Sequence, residues 1–126
     1  MKTKILILFG LLITTFACTN NDDTAEINID GLYIGTFERN DIVSNVEINL
    51  SSGEFSGTSD RTNFPAIYYG NFSIEKNSLN FNNEQLIITT EFDPNLVLDG
   101  LWNYDFNNNV LRMTNSIGDI YILTKE

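Results

Sequence analysis

Acid–base and nucleophilic chemistry in proteins leans on histidine and cysteine. This sequence of 126 residues holds no histidine and a single cysteine, Cys18. Ser-His and Cys-His pairs are therefore impossible within the chain, and so is a zinc site of Cys and His. Carboxylates remain, with 17 Asp and Glu against 7 Lys and Arg and a net charge of −10. A carboxylate pair can cleave a glycosidic bond only when both groups flank it. Asp99 and Asp105 share one face of an expected strand, yet six residues of strand hold them about 20 Å apart. They read as solvated acids. There is no EF-hand spacing and no Gly-rich loop opening a helix, so neither an enzyme nor a cofactor or metal site is expected. Asn71-Phe72-Ser73 fits a glycosylation acceptor but falls inside an expected strand. The better functional candidate is the irregular stretch Ser59 to Ala66, which carries Arg61, Phe64 and Pro65, with Tyr68 and Tyr69 just beyond. Arg61, Phe64 and Tyr69 are its candidate binding residues. A cation among rings can contact a partner; equally, Phe64 can plug the end of a fold.

The N-terminus carries a different chemistry. Lys2 and Lys4 precede an apolar run, Ile5 to Phe16, too short for a permanent membrane span. The junction Thr15-Phe16-Ala17-Cys18 resembles the lipobox of bacterial lipoproteins, in which the cysteine is diacylated and becomes the new N-terminus. Thr15 stands where that pattern usually has Leu. An ordinary signal peptide with an incidental Cys18 is the other reading. The expected organisation is a signal peptide over 1–17, a lipidated Cys18 with a flexible acidic tether over 18–30, and one domain over 31–126. Removing residues 1–17, with two lysines and no acid, takes the charge from −10 to −12. Nucleic acid and anionic headgroups would be repelled. The expected partners are a membrane, through the lipid on Cys18, and either a small apolar ligand or a basic protein.

The domain must come from strands. No segment after Ile27 has helical period, and Asn, Gly, Asp and Ser interrupt the chain about every 8 to 12 residues. Strands are expected at Gly31–Arg39, Ile42–Leu50, Glu54–Thr58, Ile67–Glu75, Ser78–Asn82, Gln85–Phe92, Leu96–Phe106, Val110–Asn115 and Ile120–Lys125. The clearest is Leu96–Phe106, with Leu96, Leu98, Trp102, Tyr104 and Phe106 on one face and Val97, Asp99, Leu101 and Asp105 on the other. Eight or nine short antiparallel strands in a meander can close into a barrel. The expected fold is thus all-β, a small antiparallel meander β-barrel, with Tyr33, Phe37, Trp102, Tyr104 and Phe106 in or near its core.

Gly31-Leu32-Tyr33-Ile34-Gly35-Thr36-Phe37, Phe64-Pro65-Ala66, Gly70-Asn71-Phe72-Ser73-Ile74 and the ending Tyr121-Ile122-Leu123-Thr124-Lys125 together resemble the small lipocalin-like lipoproteins of Bacteroidetes. The resemblance implies a barrel and an outer-membrane lipid anchor, periplasmic or surface-exposed; its motifs are structural and none is catalytic. Asp22, Asp23 and Glu26 after Cys18 resemble the export signal of surface lipoproteins from those bacteria, or form a plain solvated linker. Some family members carry a cysteine pair where this chain has Tyr68, Tyr69, Asn83 and Glu84, so that staple is absent. Gly31-Leu32-Tyr33 with Arg112 could imitate the ring-and-arginine closure of lipocalins, or Arg112 is a solvated strand residue. After Cys18 the chain has seven Phe, five Tyr and one Trp. If half point inward they fill most of an eight-stranded interior, which leaves room for no more than a shallow cup at one end, and binding is expected at the end carrying Ser59 to Ala66.

Overall fold

The computed structural model describes residues 27–86 and 92–126. Eight strands follow one another: β1 (Gly31–Arg39), β2 (Ile42–Ser51), β3 (Glu54–Ser59), β4 (Tyr69–Glu75), β5 (Ser78–Asn83), β6 (Gly100–Asn107), β7 (Val110–Thr114) and β8 (Ile120–Lys125). Each pairs antiparallel with the next, and β8 returns to β1, so the sheet is a closed meander barrel. Two tight hairpins show why the turns fall where they do. Asn40 and Asp41 join β1 to β2 with φ of 52° and 67°, and Asn108 and Asn109 join β6 to β7 with φ of 54° and 66°. Asn and Asp tolerate that left-handed region, and two such residues give a turn whose twist matches its strands. At the seam, Gly35 lies opposite Leu123. A Cβ on Gly35 would sit 1.9 Å from the Ile122 carbonyl oxygen, so a side chain there would push β1 off β8.

Period-two alternation sorts the faces. On β2, Ser44, Val46, Ile48 and Leu50 are buried while Asn45, Glu47 and Asn49 are exposed. The interior is filled by rings and aliphatic groups. Phe37 and Tyr121 have centroids 5.0 Å apart, Trp102 and Tyr121 5.1 Å, and Phe55 and Phe81 5.2 Å. Tyr33, Phe37 and Trp102 are buried, and Tyr104 and Phe106 pack partly buried against them. Barrels of eight strands are about wide enough for such filling.

The expected strands differ from the observed ones in three places. Leu96–Phe106 is not one strand. Pro94–Leu96 forms a 3₁₀ turn capped by Asp93, Val97 is buried rather than solvent-facing, and β6 starts only at Gly100. The alternation ran on through a segment that covers the barrel end, where apolar residues on both faces find cover. Ile67 and Tyr68 likewise complete a loop, and β4 begins at Tyr69. Of the expected Gln85–Phe92 strand, residues 87–91 lie outside the described residues, as do Cys18 and the tether to residue 26; Gln85, Leu86 and Phe92 are not in strand. Among the described residues no helix is long and apolar enough to cross a membrane.

Candidate functional site

Because strand direction alternates, the connections divide between two ends. The far end carries the Asn40-Asp41 turn, the loop 60–68, the connection 84–99 and the turn 115–119. Among the described residues, the entry end, where the chain joins β1, carries short turns and residues 27–30.

The far end is plugged. Phe64 turns inward and packs edge-on against Phe37, centroids 5.6 Å apart. Its carbonyl accepts hydrogen bonds from the hydroxyls of Ser44 and Ser59. Pro65, Ala66 and Ile67 are buried behind it. The Ala66 N–H donates to Leu96 O at 2.9 Å and the Leu98 N–H to Ala66 O at 3.0 Å, which ties the loop to the 3₁₀ segment. Arg39, at the end of β1, clamps the same region. Its Nε and Nη2 donate to both oxygens of Asp119 at 2.7 Å, and Nη1 reaches Asp93 at 2.8 Å. Asp119 is buried, and Asn115 also donates to it, at 3.3 Å. A hydrogen bond from the Asn95 backbone, followed by the Arg39 guanidinium, lowers the Asp93 carboxyl below its ordinary value. The carboxylates, in turn, raise Arg39 above its usual value. Such a desolvated, bidentate pair holds elements together. Sequence reading missed it because 80 residues separate its two members.

The three candidate binding residues do not converge. Phe64 faces the core. Arg61 is exposed and donates from Nε to Val43 O at 3.1 Å. Tyr69 stands on the barrel's outer wall, 48% exposed, in a different groove. Nor do Tyr33 and Arg112 meet. Tyr33 is buried and donates from its hydroxyl to Ile29 O at 2.6 Å, while Arg112 faces solvent opposite Asp105. Burial, and then the negative charge of Asp30, push the Tyr33 hydroxyl up to about 12. Asp99, set before β6, accepts from the Asn83 N–H at 2.8 Å and is likewise structural.

Comparison with protein-family models, with curated proteins and with solved structures finds no match.

Among the described residues the entry end is open. Ile74 shares the inward parity of Gly70 and Phe72 on β4 yet is 41% exposed. Tyr104 and Phe106 on β6 share the inward parity of Trp102 and are only partly buried. Inward-facing residues without cover define a mouth. Residues 27–30 cross part of it, held by the Tyr33 hydroxyl and by the Ser52 N–H donating to the Asp30 carboxylate at 3.1 Å. Between this segment and the opposite wall lies a cleft of about 490 Å³ lined by Ile27, Ile29, Phe72, Ile74 and Tyr104, with Lys76 among its lining residues. This volume falls in the range of small-molecule sites. Parity gives the facing of Ile74 but not its lack of cover, which is why the sequence pointed instead to the opposite end, the one carrying Ser59 to Ala66. Among the described residues no group of three His, Cys, Asp or Glu could hold a metal ion.

Proposed function

We propose that this chain is a non-catalytic, lipid-anchored barrel of the cell envelope that holds a small apolar ligand in the cup at its entry end. The observation that carries this reading is the uncovered apolar mouth, set against a far end sealed by Phe64 and the Arg39 clamp. Apolar side chains at inward positions gain by being taken out of water, and a ligand can cover them where the chain does not. The lipoprotein reading rests on Lys2, Lys4, the apolar run and Ala17-Cys18, and on the resemblance to the small lipocalin-like lipoproteins. The barrel is consistent with that resemblance. So is the adjacency of the positions where the family carries cysteines: the Glu84 N–H donates to Tyr69 O at 2.9 Å. Eight residues, 19–26, link Cys18 to Ile27, a reach of at most about 30 Å. The cup would then lie on the side of the barrel nearest the bilayer, within range of apolar molecules leaving it.

Two experiments test this. Cys18→Ser should release the protein from the outer membrane or block its maturation; a Cys18→Ser chain that still fractionates with the membrane contradicts the anchor. For the cup, the mature chain carrying Cys18→Ser is titrated with a fluorescent fatty-acid analogue. Ile74→Asp should weaken binding at least tenfold with little change in melting temperature, because Ile74 is already 41% exposed. Equal binding by both chains contradicts the cup.

A second reading is favoured by charge. The mature chain, at −12, carries on its outer wall Glu47 opposite the exposed Ile34 and Glu38 opposite the exposed Val43. Such a surface suits a basic protein partner. Recovery of one basic protein, lost at high salt and indifferent to Ile74→Asp, would favour this reading over the first.

A further inference from the structure

The outer wall of the barrel carries a second, chemically different groove. Two cross-strand rows form it. Asn49, Ser56 and Tyr69 lie side by side on β2, β3 and β4. One step along, Glu54, Asn71 and Asn82 lie side by side on β3, β4 and β5. All six are exposed. Glu84 adds a carboxylate at the edge, and the groove encloses about 330 Å³. Its polar groups are already ordered. The Asn71 side-chain amide donates to Glu84 Oε2 at 2.8 Å, and Asn82 donates to Asn71 Oδ1 at 3.3 Å. Gly70 makes this possible. A Cβ there would lie 2.0 Å from Asn82 O, so only glycine lets β5 come close enough to set Glu84 beside Asn71.

The Tyr69 ring is about half exposed on this wall and offers an aromatic surface to a ligand. Here it is flanked by amides and carboxylates rather than by other apolar groups. That combination matches a pyranose. One face of a sugar ring is a patch of C–H groups that packs on an aromatic face, and its hydroxyls both donate and accept. Carboxylates accept such donors, and amides do both. Glu54 and Glu84, on a chain of strongly negative charge, repel uronic or sulfated sugars. The volume holds about one or two sugar units. We infer that the groove between Tyr69, Asn71, Glu54 and Glu84 is a binding site for neutral glycans, independent of the apolar cup.

The test is calorimetric titration of the mature chain carrying Cys18→Ser with maltotriose, cellotriose and chitotriose, and with trigalacturonic acid as the anionic control. At least one neutral trisaccharide should bind saturably and the anionic one should not. Tyr69→Ala and Asn71→Ala should each weaken that binding at least tenfold with an unchanged melting temperature. Tyr69→Phe, which keeps the ring face, should retain it. Binding of the fatty-acid analogue should be unaffected by Tyr69→Ala, which separates this site from the cup. No saturable binding of any neutral probe, preference for the anionic one, or full binding by Tyr69→Ala overturns the proposal.

Discussion

Two buried rings at the centre of the barrel are expected to respond to substitution in opposite directions. Trp102 is 2% exposed, stacks edge-on against Tyr121 and donates from its indole N–H to Asp99 O at 3.2 Å. Trp102→Ala removes that packing and opens a cavity, and is expected to lower stability by about 3–5 kcal/mol. A urea midpoint equal to that of the unsubstituted chain would contradict the facing of β6. Tyr121 is fully buried, and its hydroxyl has no hydrogen-bond partner among the described residues. An unsatisfied buried polar group costs about 1–3 kcal/mol. Tyr121→Phe, which keeps the ring, is therefore expected to raise the urea midpoint, and a lowered midpoint would mean that the hydroxyl is engaged. Tyr33 gives a pH signature. Its hydroxyl is raised from 10.0 to about 12 by burial and by Asp30. The folded state thus holds a proton that the unfolded chain releases. Its contribution is complete below pH 10 and is lost as pH rises towards 12. Burial raises Tyr121 in the same direction. Urea midpoints should fall between pH 10 and 12, and a flat profile there would contradict the burial of these phenols.

Elements were legible in the sequence where alternation and turn chemistry agreed. β1 and β8 have the expected bounds, and β2, β3, β5 and β7 differ from them by one residue. Asn and Asp at positive φ marked the turns. The segment before β6 was misread because Leu96, Val97 and Leu98 are all buried at the plugged end, so its alternation carried no information about strand pairing. The site was less legible. Tyr69 was grouped with Arg61 by closeness in sequence, although its place on β4 sends it to the outer wall. The Arg39–Asp119 clamp could not be read, since nothing local announces a pairing between the end of β1 and the start of β8. That clamp makes its own prediction. Arg39→Ala leaves Asp119 buried and unpaired and is expected to cost about 3–5 kcal/mol. Arg39→Lys restores a charge without the two-pronged geometry and should recover only part of it. Amide exchange at Leu98, whose N–H bonds to Ala66 O, should quicken in both variants. Exchange as slow as in the unsubstituted chain would show that the clamp does not hold the plug.

The whole molecule is a filled barrel with unlike ends. The far end is stapled by loop-to-loop hydrogen bonds and a desolvated ion pair, and the entry end leaves inward-facing Ile74 and Tyr104 uncovered beside Lys76. A filled interior leaves ligand space within the barrel only at an end, and the apolar lining favours the open one. Backbone amide shifts show where an apolar ligand binds. Residues 18–126 carrying Cys18→Ser, labelled for backbone amide resonances, are titrated with decanoate. Saturable shift changes are expected at Ile29, Gly53, Phe72, Ile74 and Tyr104, with the amides of residues 60–68 unmoved. Shifts confined to residues 60–68, or none at the cup at saturating decanoate, would contradict binding there.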